Sequence, residues 1–78
     1  MFTPQYSKLV AYRTVALTNP TDLFAMMKHM ADSDLTFAAE ALSYSSDTKG
    51  ALPILMSLLD HENSLVREGA VIGLAPNI

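Results

Sequence analysis

The chain has 78 residues, half of them apolar, no cysteine and a net charge of −3. A single domain of this size buries only ~60 % of its unfolded surface, and without cysteine no disulfide, thiolate metal site or cysteine nucleophile can contribute. The five basic residues, Lys8, Arg13, Lys28, Lys49 and Arg67, are scattered, so no basic track for nucleic acid forms and the mild acidity disfavours an anionic membrane.

No apolar run approaches the ~20 residues of a membrane span. The opening residues, MFTPQYSKLV, lack the basic and then apolar order of a signal peptide. Absence of cysteine fits a cytoplasmic protein.

Thr3-Pro4 opens a first helix over residues 4–18, where an early proline costs little. Tyr6, Leu9, Val10, Arg13 and Leu17 follow at helical spacing with one polar interruption. Asn19-Pro20-Thr21-Asp22 reads as a stop and a restart, with Asn19 as cap and Asp22 near the positive end of the dipole. Leu23, Met26, Met27 and Met30 make the next apolar stripe. Asp32-Ser33-Asp34 interrupts it and offers cap oxygens. Leu35, Ala38, Ala39 and Leu42 form a third stripe, followed by a polar connection from Ser45 to Gly50. Leu52, Leu55, Leu58 and Leu59 mark a fourth helix, with Pro53 placed in its first turn. After His61-Glu62-Asn63, Ser64 is the candidate cap of a fifth helix carrying Val66, Ala70, Gly73 and Leu74, and Pro76 ends it. No stretch alternates with period two, so the fold class is all-α.

Sliding the chain by 32 positions aligns its later parts. Leu23 falls on Leu55, Met26 on Leu58, Met27 on Leu59 and His29 on His61. Ala38 falls on Ala70, Ala41 on Gly73 and Leu42 on Leu74. Each unit is then a helix, a turn and a second helix, which cannot bury its apolar stripe without stacking on a neighbour. The small residues Ala38, Ala41, Ala70 and Gly73 are expected to let antiparallel helices approach closely.

The stretch ALPILMSLLDHENSLVREGAVIGLA, residues 51–75, carries Pro53, Leu58-Leu59-Asp60, Val66-Arg67, Ala70 and Gly73-Leu74. It resembles the HEAT repeat, most closely the short repeats of phycobilisome-lyase-type proteins. The match extends less fully over residues 20–48, where Asp34 and Leu35 replace the Val-Arg step. The resemblance implies a short right-handed α-solenoid: an N-terminal helix (1–18), a degenerate repeat (19–46) and a second repeat (47–78). It implies that Arg67 pairs with Asp60 or a neighbouring unit. Deoxyhypusine hydroxylase uses similar repeats and holds iron through His-Glu pairs on second helices. The corresponding stretches VREGA and LTFAA contain no such pair, so that site is not carried over.

Other chemistry is weakly signalled. His29 and His61 occupy equivalent points, but only Asp32 and Glu62 offer further ligands, and HENSL is not a zinc-binding HExxH. No serine sits in a Gly-x-Ser-x-Gly turn, and Gly50, Gly69 and Gly73 form no phosphate loop. Asp32 and Asp34 are read as helix caps. Met26, Met27, Met30 and Met56 fit core better than an adaptable groove. Phe2, Tyr6, Tyr12 and Tyr44 are interface or core-edge aromatics.

The expected function is protein–protein recognition by a small adaptor or inhibitor, with no enzymatic activity, no cofactor and no metal. The second helices of a solenoid line one face, which places Thr36, Glu40, Ser43, Tyr44, Arg67, Glu68 and Val71 as partner contacts. The chain ends at Pro76-Asn77-Ile78 with no capping helix, which favours a homodimer or a stable complex over a free monomer. The alternatives are an accessory subunit of a HEAT-like lyase-type enzyme and a nucleic-acid-binding HEAT-like protein.

Overall fold

In the computed structural model, which describes the backbone of residues 4–75 and the side chains of residues 7–75, five helices succeed one another with no strand among the described residues. They are α1 (Pro4–Thr18), α2 (Pro20–Met27), α3 (Asp32–Ala41), α4 (Thr48–Leu58) and α5 (Ser64–Leu74), with a 3-10 turn at Leu42–Tyr44 after α3. Phe2, the Tyr6 side chain and Pro76-Asn77-Ile78 lie outside the described residues.

Local chemistry moves several helix starts from their expected places. Asn63, not Ser64, caps α5: its Oδ1 accepts the Leu65 and Val66 N–H groups at 2.9 and 3.4 Å. Asp47 caps α4 by accepting the Gly50 N–H at 2.9 Å. That cap starts α4 at Thr48, so Pro53 is the sixth helical residue and lies inside the helix rather than in its first turn. There a proline removes one backbone hydrogen bond and crowds the preceding turn. At α2, Asn19 is at the cap position without making the cap bond; its Nδ2 donates to Asp22 Oδ2 at 2.8 Å. Asp32-Ser33-Asp34 is the first turn of α3, which Ala31 precedes without a side-chain cap.

The stripes on α3 and α5 are buried as expected: Leu35, Ala38, Ala39 and Leu42, then Val66, Ala70, Gly73 and Leu74. Leu23, Leu42, Leu55 and Val66 are the largest fully buried side chains. Each contributes about 1.5–3 kcal/mol by leaving water. Helix α1 departs from expectation. It buries Ala16 and packs Tyr12 and Val15 on the core, while Val10 and Leu17 are 41 % and 60 % exposed. The chain itself explains the choice, because the Ala16 carbonyl accepts the Ser46 N–H at 3.1 Å and so holds that face of α1 against the segment after α3.

Helix α3 packs on both α1 and α5, α2 touches α1, α3 and α4, and α4 lies against α5. Two glycines make the tightest contact. A methyl group on Gly69 would meet the Thr36 carbonyl oxygen at 2.5 Å, and one on Gly73 would lie closer still to that of Ala39. The order of these two contacts makes α3 and α5 parallel. Gly73 therefore seats on the parallel helix α3, and it also faces α4, where Leu55 Cδ2 would lie 2.8 Å from an added methyl group.

Replacing glycine by alanine inside a helix ordinarily stabilises by ~1 kcal/mol. At Gly73 the obstacle is rigid backbone, so overpacking wins at a cost of ~1–3 kcal/mol. Urea unfolding of Gly73→Ala should show a lower midpoint with an unchanged slope. A midpoint equal to or above that of the parent would disprove the close seating.

Candidate interaction surface

The expected contact residues lie on α3, the 3-10 turn and α5, but several have tasks inside the fold. Thr36 uses its carbonyl as the seat for Gly69, and its hydroxyl donates to the Asp32 carbonyl at 3.0 Å. Glu40 and Ser43 are half-buried, while Glu68 and Val71 are exposed. Tyr44 is exposed on one side and carries Arg13 on the other, with the guanidinium carbon 4.7 Å from the ring centre. Such a cation–π contact ties α1 to the 3-10 turn. Arg13 Nε is buried beside it and makes no hydrogen bond.

Arg67 does not reach Asp60. Its Nη1 donates to the carbonyls of His61 and Glu62 at 2.7 and 3.1 Å. These carbonyls follow α4, so Arg67 fastens the turn before α5. The turn is also tied to α3. The Asn63 N–H donates to His61 Nδ1 at 3.0 Å, leaving Nε2 facing Asp32 Oδ1 at 3.6 Å. Asn63 Nδ2 donates to Asp32 Oδ2 at 3.4 Å. Asp32 thus clasps the turn before α5 instead of capping α3. Exposed His29 takes no part in this cluster, and no group of three or more metal-ligating side chains comes together among the described residues.

The other unforeseen polar contact joins α1 to α3. Lys8 Nζ lies 2.8 Å from Asp34 Oδ1. At the position 32 residues later stands Val66, which is fully buried. Asp34 thus places a charge where Val66 places core, and Lys8 meets that charge.

Among the described residues, exposed large apolar side chains lie on α5 and, away from it, on α1, α2 and α4. On α5, Leu65, Glu68 and Ile72 recur at spacings of three and four and are all exposed. Ser33, Thr36 and Glu40 are the corresponding positions of α3. Together they form a mixed apolar and acidic ridge across both helices. Leu65 and Ile72 escape a sequence reading because each is flanked by residues of the buried stripe. Gly69 was legible only through its four-residue spacing from Gly73.

Among the described residues no helix is long and apolar enough to cross a membrane. Comparison of the chain with protein-family models, curated proteins and solved structures returns no match.

The Lys8–Asp34 contact has a pH signature. The hydrogen bond to Asp34, and then its charge, raise the Lys8 pKa above 10.5. Burial, and then the Asp34 charge, raise that of Tyr12 above 10.0. The lysine contribution is fully present below 10.5 and is lost as pH climbs through the folded value. Tyr12 acts in the same direction, because the unfolded chain ionises first. Denaturant titrations from neutral to strongly alkaline pH should show stability falling above that range. The fall should be shallower in Lys8→Met/Tyr12→Phe, and an identical fall in the variant would contradict these assignments.

Proposed function

We propose that the chain is a short HEAT-like α-solenoid that recognises another protein in the cytoplasm and performs no chemistry. The supporting observation is the recurrence of burial at 32 residues. Leu23 and Leu55, Ala38 and Ala70, Ala41 and Gly73, and Leu42 and Leu74 are buried in pairs, and α3 and α5 begin 32 residues apart. Parallel seating of α5 on α3 is the relation expected of second helices in stacked repeats.

In this reading the ridge of Glu40, Leu65, Glu68 and Ile72 is the recognition surface, with Ser43 and Tyr44 at its edge. Thr36 lies on the ridge and also seats Gly69, and Arg67 braces the turn before α5. Exposed aliphatic side chains among carboxylates suit a partner helix or loop with apolar and basic residues. Nucleic acid is a poor partner, since Lys8, Arg13 and Arg67, three of the five basic residues, are engaged inside the fold.

The test is affinity capture of the tagged chain from lysate of its source, with mass spectrometry. One stoichiometric protein should be retained by the parent and by Met56→Glu, and lost from Glu40→Arg/Ile72→Arg. Retention by the ridge variant, or loss only from Met56→Glu, would refute the assignment of the ridge.

A further inference from the structure

A further exposed apolar face lies on α4 and α5. On α4, Leu52 and Met56 are 40 % and 55 % exposed, and on α5 Val71 is 53 % exposed. None of them faces the ridge. On the helical wheel of α4, Leu52 and Met56 lie opposite Gly50, where Phe24 of α2 would meet an added methyl group at 2.8 Å. On that of α5, Val71 lies opposite Gly69 and Gly73, which seat on α3.

The internal repeat shows what such a face does. Thirty-two residues before Met56 stands Phe24, which packs beside α4. Thirty-two residues before Val71 stands Ala39, which is fully buried under Gly73. Phe24 and Ala39 are thus packed against the second helical pair of this chain, whereas Met56 and Val71 at the corresponding positions face outward.

Resting on the repeat reading above, we infer that a second copy of this chain covers the α4–α5 end face through a two-fold, self-complementary contact. Charge favours a copy of the chain as the occupant. Lys49 stands in the first turn of α4 and Asp60 just past its last turn, both exposed. A strip that is positive at one end, apolar in the middle and negative at the other complements itself when turned through a two-fold axis. Each Lys49 then meets the other copy's Asp60 across Leu52 and Met56. Two-fold contacts of this isologous kind are the commonest among homo-oligomers. The new interface continues the stack that already joins α1, α3 and α5, and leaves the ridge free on both copies.

Sedimentation equilibrium of the full chain, up to millimolar concentration, reads the inference. The parent should sediment as two chains. Met56→Glu and Val71→Glu, both at exposed positions, should weaken the association at least tenfold with helicity unchanged by circular dichroism. Lys49→Glu should weaken it, and Lys49→Glu/Asp60→Lys should restore it. Glu40→Arg/Ile72→Arg should remain dimeric. A parent that stays a single chain throughout overturns the second copy as occupant, whatever else then binds the face. Dimerisation untouched by Met56→Glu and Val71→Glu overturns the face. A single-chain parent whose ridge still captures a partner refutes only the dimer. A dimer whose ridge variant still captures the partner refutes only the ridge.

Discussion

The seating of α5 on the carbonyl row of α3 is the contact on which the rest of the molecule depends. Gly69 and Gly73 present no Cβ, so the backbone of α5 lies against the Thr36 and Ala39 carbonyls. Fully buried Ala38, Ala39 and Ala70 keep the neighbouring positions equally shallow. With α5 so close, Val66 and Leu74 can share one core with Leu42 and Leu55. Close packing over small residues therefore does work that a larger domain would leave to a thicker apolar layer.

Polar contacts then set the register of that packing. Asn63 begins α5 and, with His61, meets Asp32 of α3, while Arg67 holds the carbonyls of the same turn. At the other side of α3, Lys8 meets Asp34 and Arg13 stacks on Tyr44. These groups are half-buried or exposed, and the exposed pairs add modest stability in water. Their joint effect is positional: α1 is fastened to α3 at Asp34 and to the 3-10 turn at Tyr44, and the turn before α5 is fastened to α3 at Asp32. Lys8 of α1 meets Asp34, at the position where, 32 residues later, α5 buries Val66.

Helical class, the apolar stripes of α3 and α5, and the 32-residue recurrence were legible in the sequence, because large apolar residues and alanines recur there at helical spacing. The face of α1 was not. Its larger apolar residues, Val10 and Leu17, suggested a stripe, whereas the fold buries small Ala16 beside Tyr12 and Val15. Caps were misplaced where two polar residues adjoin, as at Asn63 and Ser64, since either could begin the helix and only tertiary contacts choose between them. Arg67 was assigned to Asp60 by resemblance, but the nearby carbonyls of the turn are the shorter reach. Of the expected contact residues, Glu68 and Val71 are free, while Thr36, Tyr44 and Arg67 also serve inside the fold. A residue's type reveals that it can bind, and only the fold reveals whether it is already bound.

The proposed division of labour follows from the same contact. Helices that run parallel and close present their outer residues as one ridge, and α4 and α5 expose positions whose counterparts 32 residues earlier are packed inside the fold. The most direct test is solution NMR of the full chain. Strong nuclear Overhauser contacts should join the α-protons of Gly69 to Thr36 and those of Gly73 to Ala39, in that order along both helices. Their absence, or the reverse order, would show that α5 does not lie parallel on α3, and the ridge and the stacking face would fall with it.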